Sequence, residues 1–199
     1  MLHLASNTSL SSLSRFEPGD VQPNAIDLRV ESIHRMKDNT FTINEEDKLH
    51  RGSEPVKIDK DDNYHLEVGT YEIIMAGLIN LGPEEAGFVI TRSTLNRNGL
   101  FITSGLYDSG YNGVMAGALH VTGGDAIIKK GTRVAQFLLF KAESLMQYDG
   151  DYGVGKEHDN KYGTFYDDEG DKPPMYYSAN GIEYEFDDSG SLVEKKKEE

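Results

Sequence analysis

Apolar and polar positions alternate over short stretches of this chain, and turn residues interrupt them at close spacing. Ala25-Ile26-Asp27-Leu28-Arg29-Val30 has the two-residue period of a half-buried strand and places Asp27 and Arg29 on one face. Tyr64 to Ile79 reads as two strands around Gly69, closed by the turn Leu81-Gly82-Pro83-Glu84. The central stretch, Gly87 to Val121, reads as a strand through Phe88-Val89-Ile90, a polar turn at Thr91-Arg92-Ser93-Thr94, and a second hairpin. Further strands are expected at Ala126-Ile127-Ile128 and Arg133–Phe140, divided by the turn Lys129-Lys130-Gly131. Residues 36–63 are polar and predict a hairpin with an exposed loop. Residues 1–16 suggest a short helix, stopped by Pro18, Gly19 and Pro23. No long segment has a helical period, so the pattern predicts an all-β barrel or jelly roll.

Composition refines this picture at the C-terminal end. From Tyr148 the sequence turns to Gly, Asp, Tyr and Lys, which divides the chain into a β domain, residues 1–164, and an acidic extension, residues 165–199. A late hairpin is expected at Ile182–Phe186 and Leu192-Val193, and the charge run Glu194–Glu199 is expected to be disordered. Net charge over the 199 residues is −14, which argues against binding a nucleic acid over a broad surface yet leaves room for one nucleotide in a local basic pocket. The absence of cysteine excludes disulfides and thiolate chemistry. No apolar run approaches a membrane span, and the expectation is a cytoplasmic protein with no membrane partner.

Candidate chemistry sits at the turns of the central stretch. Arg92 and Ser93 combine a forked cation with a hydroxyl at a strand end, a pairing suited to phosphate and equally to a salt bridge beside a turn. Asp108, before Ser109-Gly110, is either a base or a turn cap, and Tyr111 either a ligand contact or a core aromatic. Asp27 and Arg29 could pair with each other. Gly150–Lys156 has the GxxxxGK spacing, but Glu157 stands where the loop needs Ser or Thr, so an ATPase reading is rejected. The histidines at 3, 34, 50, 65, 120 and 158 show no metal-ligand spacing.

In chain order these segments resemble the superfamily of trimeric dUTPases and dCTP deaminases, over about residues 20–165. Ala25–Arg29 is similar to the first motif, Arg92-Ser93-Thr94-Leu95-Asn96-Arg97 to the second in its deaminase-branch form, Leu106–Gly113 to the third, and Gly131–Gln136 to the fourth. The glycine-rich segment ending Lys161-Tyr162-Gly163 stands where the family has a mobile phosphate-covering tail. The resemblance implies a distorted jelly-roll, β-clip-like subunit, a homotrimer, and sites at subunit interfaces.

One position separates the two branches. The deaminase branch has a glutamate ten residues after the third-motif aspartate; here Ala118 occupies that place, and no glutamate lies between Glu85 and Glu143. A methyl group moves no proton. The resemblance therefore implies a dUTP diphosphatase, with Asp108 activating water and Tyr111 under the deoxyribose. It further implies that Arg92, Ser93, Thr94, Arg97, Gln136, Lys161 and Tyr162 bind substrate, and that Mg²⁺ is held mainly by the triphosphate with Asp27 reaching it through water. The rival readings are a dCTP deaminase or bifunctional enzyme, and a non-catalytic nucleotide sensor.

Overall fold

The computed structural model describes residues 1–162 and, beyond them, three short strands. In chain order the strands are β1 (Ser12–Leu13), β2 (Ile26–Met36), β3 (Thr42–Ile43), β4 (Lys48–Leu49), β5 (Ser53–Pro55), β6 (Asn63–Leu66), β7 (Gly69–Asn80) and β8 (Glu85–Thr91). They continue with β9 (Leu100–Thr103), β10 (Leu106–Tyr107), β11 (Asn112–Val121), β12 (Ala126–Lys129), β13 (Arg133–Lys141), β14 (Tyr176–Tyr177), β15 (Glu183–Phe186) and β16 (Leu192–Glu194). One short α-helix, α1 (Ser93–Arg97), and two 3-10 turns, Pro18–Asp20 and Glu157–Tyr162, interrupt them among the described residues.

Nine strands form one antiparallel sheet whose path runs β10-β8-β13-β2-β7-β11-β9, with β1 on β7 and β5 on β2. The sheet curls until β9 returns against β8. There Thr91 Oγ1 accepts from the Ile102 N–H at 2.6 Å and donates to its carbonyl at 3.1 Å, and Ser104 does the same for Val89. Side-chain hydroxyls thus close a seam that a backbone ladder closes in a regular barrel, which leaves no bare edge there. This is the expected all-β, distorted jelly roll.

Alternation decides which residues fill the interior. Phe137 and Leu139 of β13 point inward and are buried, whereas Gln136, Leu138 and Phe140 face the other way and remain half-buried. They join Leu28, Val30 and Ile33 of β2, Tyr71, Ile73 and Met75 of β7, and Met115, Leu119 and Val121 of β11 in one core. The β11–β7 register slips between Val114 and Ala116. Gly77 occupies that irregularity with φ +84°, and the Ser14 carbonyl lies where a Cβ would stand.

Residues 1–16 differ from the expected helix. They run as turns and a strand, because the serines are recruited as donors: Ser9, Ser11 and the Leu10 N–H all bond the buried Glu85 carboxylate. Glu85 begins β8, and its own carbonyl accepts Ser109 Oγ at 2.9 Å, so the N-terminal segment braces the turn that carries Asp108. The expected late hairpin corresponds to β15–β16, which form a three-stranded meander with β14. The rest of residues 163–199, including Lys195 to Glu199 of the charge run, lies outside the described residues. No helix among the described residues is long and apolar enough to cross a membrane.

Candidate functional site

Two groups of polar residues flank β8, one at each end. At its C-terminal end Thr91 gives way to Arg92, which caps α1 in place of the expected turn, and Ser93, Thr94 and Arg97 lie exposed on that helix. Arg92 is drawn toward Asp27. Antiparallel pairing of β2 with β13 sets Asp27 opposite Gln136, whose amide donates to Asp27 Oδ1 at 3.0 Å. Asp27 Oδ2 lies 3.3 Å from an Arg133 nitrogen and 3.4 Å from an Arg92 nitrogen. The carboxylate is fully buried, while the two guanidiniums remain 37% and 29% exposed, so both present charge outward from a fixed anchor. A forked pair of cations with neighbouring hydroxyls and an amide suits a polyphosphate.

Asp27 and Arg29 do not pair as their shared face suggested. Arg29 instead bonds Asp20 through two nitrogens at 2.9 and 2.8 Å and reaches Glu17, and these acids raise its pKa. Arg133 joins the site unexpectedly: nothing in its local spacing marks it as a partner of Asp27, since the pairing is made across strands.

The other end of β8 holds Asp108. Its turn is pinned by Gly110 N–H to Leu81 O and Leu81 N–H to Tyr111 O, and the residue itself is exposed. Tyr107 and Tyr111, on either side of it, wall a cavity of about 520 Å³. Their rings stand 5.2 Å apart and their hydroxyls donate to Ala116 O and Val114 O. Burial raises the Tyr107 phenol well above its ordinary range. Further walls include Gly105 between β9 and β10, Ala116 and Gly117 of β11, and Tyr148, Tyr152, His158 and Asp159 from the chain that follows β13. That chain is held down by the Tyr148 N–H on Ser109 O, by Lys48 on Asp151 at 2.6 Å, and by the His50 and His158 rings, 4.5 Å apart. Tyr111 is thus a buried aromatic and a cavity wall together, which joins the two alternatives left open for it. The side chains of Lys161 and Tyr162 lie outside the described residues.

A third feature borders the same cavity. On β11, Ala118 pairs with Glu72 of β7 on one side and Thr103 of β9 on the other. Glu72 lines the cavity, and its Oε2 accepts Ser53 Oγ at 2.5 Å. The gap left by a glutamate missing from β11 is therefore bordered by a carboxylate from the neighbouring strand. Glu72 precedes the glutamate-free stretch between Glu85 and Glu143 and meets Ala118 only through strand pairing, so no local pattern signals it.

The two ends are not brought together within the chain. Tyr107 pairs with Gly87, and Arg92 lies five residues further along, so Tyr107, next to Asp108, and Arg92 stand about 17 Å apart along β8. Among the described residues no three His, Asp or Glu side chains gather around one point. Asp27 also fits poorly as a metal ligand: it is buried, and its oxygens take Gln136, Arg92 and Arg133.

Against known proteins, residues 3–142 match the dCTP deaminase-like family. A probable deoxyuridine 5'-triphosphate nucleotidohydrolase from Halobacterium salinarum is 31% identical over 137 residues, covering 66% of this chain and 82% of that protein. A deoxyuridine 5'-triphosphate nucleotidohydrolase from Methanocaldococcus jannaschii is 30% identical over 152 residues, covering 75% of this chain and 97% of that protein. Among solved structures, the 2'-deoxycytidine 5'-triphosphate deaminase from Agrobacterium tumefaciens superposes with a TM-score of 0.52 at 16% identity, covering 67% of this chain and 44% of the deaminase.

Proposed function

We propose that this chain, which belongs to the dCTP deaminase-like family, is a dUTP diphosphatase that converts dUTP to dUMP and pyrophosphate. The observation that carries the reading is the exposed carboxylate of Asp108 on a turn whose flanking tyrosines wall a cavity of about 520 Å³, room enough for a nucleoside. Asp108 takes a proton from water; the water oxygen bonds the α-phosphorus, and the bond from that phosphorus to the bridging oxygen breaks to release pyrophosphate. Tyr111 lies under the sugar. Arg92, Ser93, Thr94, Arg97 and Gln136 neutralise and orient the phosphates, and Lys161 and Tyr162 belong to the closing tail. Arg133 joins this group through the anchor it shares with Arg92.

The 17 Å gap along β8, about that length by strand rise, supports a homotrimer in which one subunit supplies Asp108 and its cavity and a neighbour supplies the Arg92 cluster. Mg²⁺ would be held mainly by the triphosphate and would help to neutralise its charge there. The test is turnover with each nucleotide separately: pyrophosphate from dUTP is expected, and its absence sinks the reading. Glu72 beside Ala118 favours one second reading, dCTP deamination, for which ammonia release from dCTP is the signature.

A further inference from the structure

Several acceptors bordering the tyrosine cavity are tied into its walls. Val114 O takes the Tyr111 hydroxyl at 2.7 Å and Ala116 O takes that of Tyr107 at 2.9 Å. Asp159, buried in the wall, accepts the Gly153 N–H at 2.7 Å and meets His158 Nδ1 at 3.0 Å. Glu72 is the other acid in the lining, seated between His34 of β2 and Ala118 of β11, and the Ser53 hydroxyl fixes its direction. A ligand in this cavity meets tyrosine rings and the Glu72 carboxylate among its walls.

We propose that Glu72 determines which base this site accepts. The inference rests on the cavity being the base pocket of the reading above. A carboxylate only accepts hydrogen bonds, so it attracts an exocyclic amino group and repels a ring carbonyl. Among pyrimidines that distinction separates cytosine, with its amino group at position 4, from uracil, with a carbonyl there. Small residues at Gly117 and Ala118 leave the space beside the carboxylate to the ring's edge. Glu72 therefore lets dCTP compete for a site that turns over dUTP, and its substitution by an amide reverses the preference by offering an N–H to the uracil carbonyl.

The experiment measures the KM for dUTP and the inhibition constant of dCTP in the wild type, Glu72→Gln and Ser53→Ala. The ratio of dCTP inhibition constant to dUTP KM is expected to rise by about tenfold or more in Glu72→Gln, the discrimination a well-placed base contact carries. Ser53→Ala, which only loosens the carboxylate, moves the ratio the same way by a smaller factor. A ratio within about twofold of wild type in Glu72→Gln overturns the proposal, as does an unmoved ratio in Ser53→Ala if the glutamine variant does not fold. Should the wild type leave dUTP intact, the diphosphatase reading falls instead. Calorimetric titration of the same proteins with dCTP and dUTP then decides the role of Glu72 by the same ratio.

Discussion

Removing Asp27 should destabilise the protein even when no nucleotide or metal is present. Asp27→Ala orphans the Gln136 amide, which donates to Oδ1 at 3.0 Å, and leaves the guanidiniums of Arg92 and Arg133 facing each other. The Gln136 amide is half-buried, so losing its acceptor costs about 1–2 kcal/mol. The two arginines are about a third exposed, so water screens them and each lost pair is discounted to about 0.5–1 kcal/mol. Together the loss is about 2–4 kcal/mol, which for a chain of this size lowers Tm by about 5–15 °C. Asp27→Asn keeps an oxygen for Gln136 and loses only the charge, so about half that shift is expected. The assay is thermal unfolding by circular dichroism, without nucleotide and with EDTA. If Asp27 acted only through a bound cation, the apo protein would melt unchanged; a Tm for Asp27→Ala within about 2 °C of wild type refutes the anchoring argument.

Asp108→Asn is expected to abolish pyrophosphate release from dUTP while nucleotide affinity by calorimetry stays within about tenfold, because an amide cannot take the proton from water. Tyr111→Ala should weaken discrimination against UTP, read as a fall in the ratio of kcat/KM for dUTP to that for UTP. Equal amounts of the inactive variants Asp108→Asn and Arg92→Ala, unfolded and refolded together, should regain measurable turnover, since mixed trimers contain some sites with both residues intact; no recovery would place both in the same subunit's site. Burial raises the Tyr107 pKa, so the folded chain keeps a proton that the unfolded chain releases near pH 10. Stability from that group is whole below about pH 10 and is lost as pH rises through the window above it. Tyr107→Phe should be about 1 kcal/mol less stable than wild type at pH 7, from the lost bond to Ala116 O, and the gap should close above pH 10 in denaturant titrations.

The local pattern carried most of the fold. Two-residue alternation placed β2, β7 and β13 because one face of each is buried in a common core, and Gly and Asn marked the turns between them. The N-terminal segment departed from its expected helix for a reason no local pattern contains. Its serines satisfy a carboxylate, Glu85, that lies more than seventy residues away in sequence, with separations of 74 to 76 positions. Serine competes for backbone and side-chain partners wherever they are, and here the partner is distant. Arg92 and Ser93 likewise gave up a turn for one helical turn, since the chain must reverse between β8 and β9 while those strands meet side by side.

The candidate site was legible where its residues are neighbours in sequence and obscure where they are neighbours only in the sheet. Tyr107, Asp108 and Tyr111 occupy one turn, and the order of polar residues along that turn is enough to suggest a base beside a ring. Arg133 and Glu72 acquire meaning only through register: Gln136 opposite Asp27 brings Arg133 onto a buried carboxylate, and Ala118 opposite Glu72 puts an acid beside a position that has only a methyl group. A one-residue slip of β11 on β7 would turn Ala118 to the other face and separate it from Glu72. The irregularity at Val114 and Ala116, made possible by Gly77, is what sets that register. The pairing of Ala118 with Glu72 thus depends on a glycine outside the cavity lining, and a substitution there is expected to disturb that pairing by moving an entire strand.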